Sequence, residues 1–128
     1  MHRRAKSPPR FLTLWNIRFP VGAIASIGHR VSGVLLLLAL PLLAIALERS
    51  LQSAAGYAEL LGLLRSRAVA PVLVVVIWAL AHHVFAGIRH LLMDIGIGAP
   101  LPQARASAQA AIGAAIAAAL LASLWWLA

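Results

Sequence analysis

Three long apolar runs, separated by short polar stretches, dominate the pattern of this chain. The first covers Val31 to Leu47 and reads back to about Ala23, because Pro20 suits a helix start and no breaker intervenes before Pro41. Pro41 should kink it. The second runs from about Ala68 to Met93, with Pro71 in its first turn and Gly96-Ile97-Gly98-Ala99-Pro100 as its stop. The third runs from about Ser107 to Leu127. Crossing a hydrocarbon core of about 30 Å takes roughly 20 helical residues, and each run is long enough. The pattern predicts an all-α integral membrane protein with three transmembrane helices over about 23–47, 68–93 and 107–127. Residues 1–22 then form an N-terminal arm and 23–128 the transmembrane domain. In the third run Ala106, Ala110, Ala114, Ala118 and Ala122 recur at every fourth position, with Ser107, Ala111, Ala115, Ala119 and Ser123 alongside. Two rows of small residues let a neighbouring backbone approach closely.

Composition agrees with a bilayer environment. Apolar residues make up 62% and charged residues 11% of the 128, against roughly 45–50% and 25% in soluble domains. Eleven Lys and Arg against three acidic residues could mark a nucleic-acid binder, but the positive charge lies at the chain start and in the connections between spans. That arrangement orients a membrane protein. Six basic residues lie in 1–30, three in 48–67 and two in 89–105, so eight on one side against three place the N-terminus in the cytoplasm. Trp15 and the Trp125-Trp126 pair then serve as interfacial anchors. The apolar run after the basic start has no A-x-A-like site at its end, so no cleaved secretory signal is expected. With no Cys in the chain, disulfides and thiolate ligation are excluded, and the five His are the candidate metal ligands.

Polar side chains at membrane depth are costly and usually face a bundle interior. Two clusters stand out. Ser26, His29, Arg30 and Gly33 fall at i, i+3, i+4 and i+7 on one helical face; they suit either a membrane boundary that binds lipid headgroups or a functional site. The second cluster is His82-His83, Gly87, Arg89, His90 and Asp94. His83, Gly87 and His90 share a face, from which His82 is turned by about 100°. His83 lies six residues before Arg89, about 9 Å deeper along the helix. A neutral imidazole there is either an interhelical hydrogen-bonding group or a haem ligand, with Gly87 leaving room for a porphyrin face. His90 cannot take the opposite axial position, because it lies about 10.5 Å from His83 along the same helix. Within the chain only His29 is conceivable as a second ligand, and it sits with Arg30 where both are better placed to meet propionates. A ligand from a partner chain is expected.

The stretch Ile17-Arg18-Phe19-Pro20 through Ser26-Ile27-Gly28-His29-Arg30-Val31-Ser32-Gly33, followed by His83-x-x-x-Gly87-Ile88-Arg89-His90-x-x-x-Asp94, resembles the cytochrome b556 subunits of succinate dehydrogenase. The two motifs cover about 30 residues, and the three-span layout with a basic N-terminus is similar over the whole chain. The resemblance implies half of a heterodimeric haem-binding helical bundle in respiratory complex II. Its expected partners are a second small membrane anchor, an iron–sulfur subunit and a flavoprotein, with ubiquinone as substrate. By motif, His83 looks like the axial ligand of haem b, Ser26 and Arg30 like quinone-site residues, and His29 and Arg30 like propionate contacts. Two departures stand out. A Ser-Pro-His element found before the first helix in many members is replaced by Pro8-Pro9-Arg10-Phe11, and His82 is no part of the motif.

The expected role is thus a redox anchor that is not catalytic alone, since nothing here could bind a flavin or a dicarboxylate. It joins succinate oxidation in the tricarboxylic acid cycle to electron transport. An anchor for fumarate reductase, or a cofactor-free transporter or interaction subunit, are the alternatives. With no transit-like segment, the expected setting is a bacterial inner membrane rather than a mitochondrion.

Overall fold

The computed structural model describes residues 19–127, so Trp15, Ile17, Arg18 and most of the expected arm lie outside the described residues. Four helices account for these residues: α1 (Val21–Gln52), α2 (Ala54–Arg65), α3 (Ala70–Asp94) and α4 (Leu101–Leu127). Helices α1, α3 and α4 are long and apolar enough to cross a membrane, with mean hydropathies of 2.4, 2.0 and 2.0 over their most apolar windows. The chain is an all-α multi-pass membrane protein.

Pro20 sets the start of α1 with an extended backbone, and its carbonyl accepts the Ala23 amide at 2.9 Å. The helix runs through Pro41 to Gln52, five residues past the expected end. At 1.5 Å per residue its length is about 48 Å, so Glu48, Arg49, Ser50 and Gln52 mark where it leaves the apolar layer. Helix α2 was not anticipated from the hydropathy pattern. Ser53 ends α1 in an extended conformation and caps α2 by accepting the Gly56 amide at 3.0 Å. Gly56 is needed at this corner, because a Cβ there would collide with the Arg49 carbonyl.

Gly96, in the left-handed region at φ 84°, ends α3. The Gly96 amide reaches the Met93 carbonyl at 3.0 Å and the Ile97 amide the Leu92 carbonyl at 2.9 Å, the paired bonds of a Schellman stop. Helix α4 then starts at Leu101, six residues before the expected Ser107. Hydropathy marks where a helix enters lipid, whereas Pro102 is tolerated in a first turn and Gln103 and Arg105 are good helix formers, so the helix begins in its polar stretch.

Helix α3 packs against both α1 and α4, and α1 and α4 also touch each other. Among the described residues the buried apolar ones are all alanines: Ala25 on α1, Ala70, Ala79 and Ala86 on α3, and Ala108, Ala111 and Ala115 on α4. Large side chains such as Leu37, Leu42, Leu91 and Leu121 point outward and are about two-thirds exposed. Small residues at the helix contacts and large apolar ones facing outward suit a bundle packed by van der Waals contact in lipid. Of the two small rows on α4, one has Ala111 and Ala115 buried and its other members half-buried, while Ala106 and Ala110 of the other row stay exposed. At the far end Trp126 donates its indole N–H to the Leu64 carbonyl at 2.8 Å, tying α4 to α2.

Candidate functional site

The first half of α1 packs antiparallel against the second half of α3, and there the polar residues of both helices meet. The two adjacent histidines of α3 go to different surroundings, as a 100° step between neighbours requires. His82 is 3% exposed and turns inward, its Nε2 lying 3.2 Å from the Ala25 carbonyl. A carbonyl only accepts, so Nε2 carries the proton. Trp78 stacks on the ring with centroids 5.5 Å apart, and the other nitrogen, Nδ1, is buried with no hydrogen-bond partner among the described residues.

His83 is half-buried. Its Nδ1 lies 3.2 Å from the His29 carbonyl and 3.3 Å from the Ser32 hydroxyl oxygen. Ser32 is fully buried and donates its own hydrogen to the same His29 carbonyl at 2.9 Å. With that hydrogen committed, both oxygens accept from Nδ1, so the proton of a neutral His83 ring sits on Nδ1. Nε2 then carries a lone pair, and no protein group among the described residues bonds it. Ser32 was missed as an orienting residue, although a serine inside an apolar helix one turn after His29 was a visible signal.

The His29 ring stacks on His83 with centroids 4.2 Å apart and planes 13° apart, and tilts against His90 at 5.3 Å. Gly87 adjoins this cluster, since a Cβ there would lie 3.3 Å from His29 Nε2. The space that Gly87 opens, expected for a porphyrin face, therefore receives the His29 ring. The stack sets the two rings face to face, so the nitrogens of His29 and His83 do not point at each other across a shared gap. Ser26 is half-buried and Arg30 exposed. Arg30 lines a shallow depression with Val31, Val34 and Leu35.

Arg89 is 8% exposed, at the junction of the three spans. Its Nε donates to the Ser107 hydroxyl at 3.1 Å and an η-nitrogen to the Ala104 carbonyl at 3.2 Å. A Cβ on Gly22 of α1 would lie 3.7 Å from the same guanidinium. The charge is thus held by oxygens of α4, and Arg89 joins α3 to α4 near the histidines.

Fold and site together define a three-span helical membrane protein with an oriented imidazole between its first two spans. Residues 3–122 match the family model described as succinate dehydrogenase/fumarate reductase transmembrane subunit. The succinate dehydrogenase cytochrome b556 subunit of Coxiella burnetii (strain RSA 493 / Nine Mile phase I) is 39% identical over 122 residues, covering 94% of this chain and 97% of that protein. The subunit of the same name from Paracoccus denitrificans is 36% identical over 95 residues, covering 74% and 73%. The chain belongs to the succinate dehydrogenase/fumarate reductase transmembrane subunit family.

Proposed function

We propose that this chain is the haem b-binding membrane anchor of a succinate dehydrogenase, attaching the flavoprotein and iron–sulfur subunits to the membrane and helping to form the ubiquinone-reduction site. One observation carries the reading. The His29 carbonyl and the Ser32 hydroxyl take the Nδ1 proton of His83 and leave Nε2 available. Histidines that bind a metal usually donate their other N–H to a carbonyl or similar acceptor, which fixes the tautomer and raises the basicity of the ligating nitrogen. The donor set fits a haem iron.

When bound, the haem supplies a one-electron carrier within the membrane. His83 would hold the haem iron through Nε2, together with a ligand from the second small anchor. His29, stacked on His83, and Arg30, exposed beside it, are the propionate contacts. Ser26 and Arg30 lie one helical turn apart and serve the quinone. Quinone reduction passes through anionic oxygen species, which a hydroxyl donor and a permanently charged guanidinium both favour.

The eight-to-three distribution of basic residues orients the chain with its N-terminus and the 89–105 connection in the cytoplasm of a bacterial cell, where the dehydrogenase subunits dock on the inner membrane. A periplasm-only reporter should be silent when fused at Arg105 and active after Ala128; the opposite result would invert the orientation. The function itself is tested by a reduced-minus-oxidised spectrum of membranes containing the chain and its partner subunits. A b-type band that reduces with succinate is expected. Its absence from the assembled complex would overturn the haem assignment. Reduction by quinol, with fumarate as acceptor and no succinate:ubiquinone activity, would instead favour a fumarate reductase anchor, the alternative within the same family.

A further inference from the structure

The geometry points to His82 as a positioning residue that sets the register of α1 against α3 and thereby holds the carbonyl and hydroxyl that orient His83. The inference rests on His83 being the haem ligand. Each histidine engages α1 through one backbone carbonyl, His82 through Ala25 and His83 through His29, and these carbonyls stand one turn apart. In an α-helix the Ala25 carbonyl also accepts the amide of residue 29. His82 therefore bonds the peptide that anchors His29, whose own carbonyl takes the proton of His83.

Glycines on α1 make both approaches possible. A Cβ at Gly28 would lie 2.5 Å from His82 Nε2 and 3.2 Å from two ring carbons, and a Cβ at Gly33 would lie 3.1 Å from His83 Cε1. Trp78 stacks against the His82 ring, so the imidazole has little room to retreat from a side chain at position 28. The other ring nitrogen of His82 is buried without a partner among the described residues, which is unfavourable in an apolar interior. An apolar side chain would remove that cost but would also lose the bond to Ala25. His82 thus contributes one specific bond at a tight helix crossing, and its placement away from the α1 flank that carries Ser26 and Arg30 separates it from ligand binding.

The test uses the assembled complex with substitutions in this chain. Gly28→Ala should lower haem occupancy and the level of assembled complex by roughly tenfold, the lower end of the loss seen when a ligand's support is disturbed. Gly28→Ala/His82→Ala should restore both to within about twofold of wild type by removing the clash, the coupling expected of residues in contact. His82→Leu should keep the low-spin b-type spectrum but raise the haem midpoint potential, because a loosened Nδ1–H bond makes His83 a poorer donor to ferric iron. His82→Gln, which carries a donor amide to the same place, should return the potential towards wild type. A wild-type potential in His82→Leu, or equal assembly of Gly28→Ala and its double variant, would overturn the inference. Loss of the low-spin spectrum in His82→Leu but not in His83→Ala would instead show that the ligand assignment beneath it is wrong. The assembly comparison remains decisive even in membranes without haem.

Discussion

Helices α1 and α3 meet in two different ways along their length. In the half that holds the histidines, small positions on α1, Gly22, Ala25, Gly28, Ser32 and Gly33, receive the large polar side chains of α3, His82, His83 and Arg89. In the half towards α2, Leu35, Leu38, Leu42 and Leu43 face Pro71, Val72, Val75 and Val76 across an apolar groove of about 480 Å³. The first half fixes atoms through directional bonds and close backbone approach. The second relies on side chains that are interchangeable with lipid tails, which are as apolar as leucine. Precision is concentrated where an imidazole and a guanidinium must be held, and substitutions in the two halves should differ accordingly.

The largest effect is expected at His83. If His83 is the haem ligand as proposed, His83→Ala would remove a nitrogen that no described neighbour is placed to replace, since His29 is stacked beside it and His82 is turned inward. The low-spin b-type spectrum of the assembled complex should disappear, whereas Leu38→Ala in the other half should leave it unchanged. A retained low-spin spectrum in His83→Ala would place the ligand elsewhere. Next come Ser26→Ala and Arg30→Leu, which should each slow succinate-dependent ubiquinone reduction by about 10²–10³, the usual cost of losing a donor to a developing oxyanion. Succinate oxidation with an acceptor that draws electrons upstream should persist. Arg30→Leu, but not Ser26→Ala, should also shift the haem spectrum. Wild-type ubiquinone reduction in both fully assembled variants would remove these residues from the quinone site.

The three spans were legible because lipid imposes long apolar runs, and the family resemblance carried by the Ser26–Gly33 and His83–Asp94 stretches agrees with the family match. Helix α2 was not legible. At 12 residues, interrupted by Glu59 and two glycines, it is too short and too mixed to register as a span, and its existence depends on the Ser53 cap and the fold-back over Arg49. The separation of His82 from His83 followed from helical geometry. What each meets did not, because the Ala25 and His29 carbonyls and the Ser32 hydroxyl become partners only once α1 has a register against α3. Arg89 shows the same limit. Its charge on an apolar helix was legible, but the oxygens that let it lie buried come from α4, 15 and 18 residues further on.

Arg89 also allows a smaller and asymmetric effect to be tested against the groove. Ser107→Ala leaves the buried Nε–H of Arg89 without its acceptor, at a cost of about 1–3 kcal/mol. Arg89→Met removes the charge and its bonds together, and the Ser107 hydroxyl keeps its bond to the Ala104 carbonyl at 3.2 Å. No buried donor is then stranded, and relief from burying a charge offsets part of the loss. Ser107→Ala should therefore lower the thermal inactivation midpoint of the detergent-solubilised complex more than Arg89→Met. The reverse order would mean that the charge itself, and not the satisfaction of its donors, holds α3 to α4.

The smallest effect is expected across the groove. Leu→Ala costs about 2–5 kcal/mol where the side chain is enclosed by protein, but Leu38 is 64% exposed in this chain. Its truncation mostly exchanges one apolar contact for another and leaves no polar group without a partner. Leu38→Ala and Val72→Ala should each cost less than about 1 kcal/mol, well below Ser107→Ala, and should leave haem spectrum and quinone reduction intact. If Leu38→Ala instead lowers the inactivation midpoint as far as Ser107→Ala does, the groove is filled by tightly packed protein in the assembled complex. The contrast between a bonded half and a lipid-like half would then hold for this chain alone and fail for the complex.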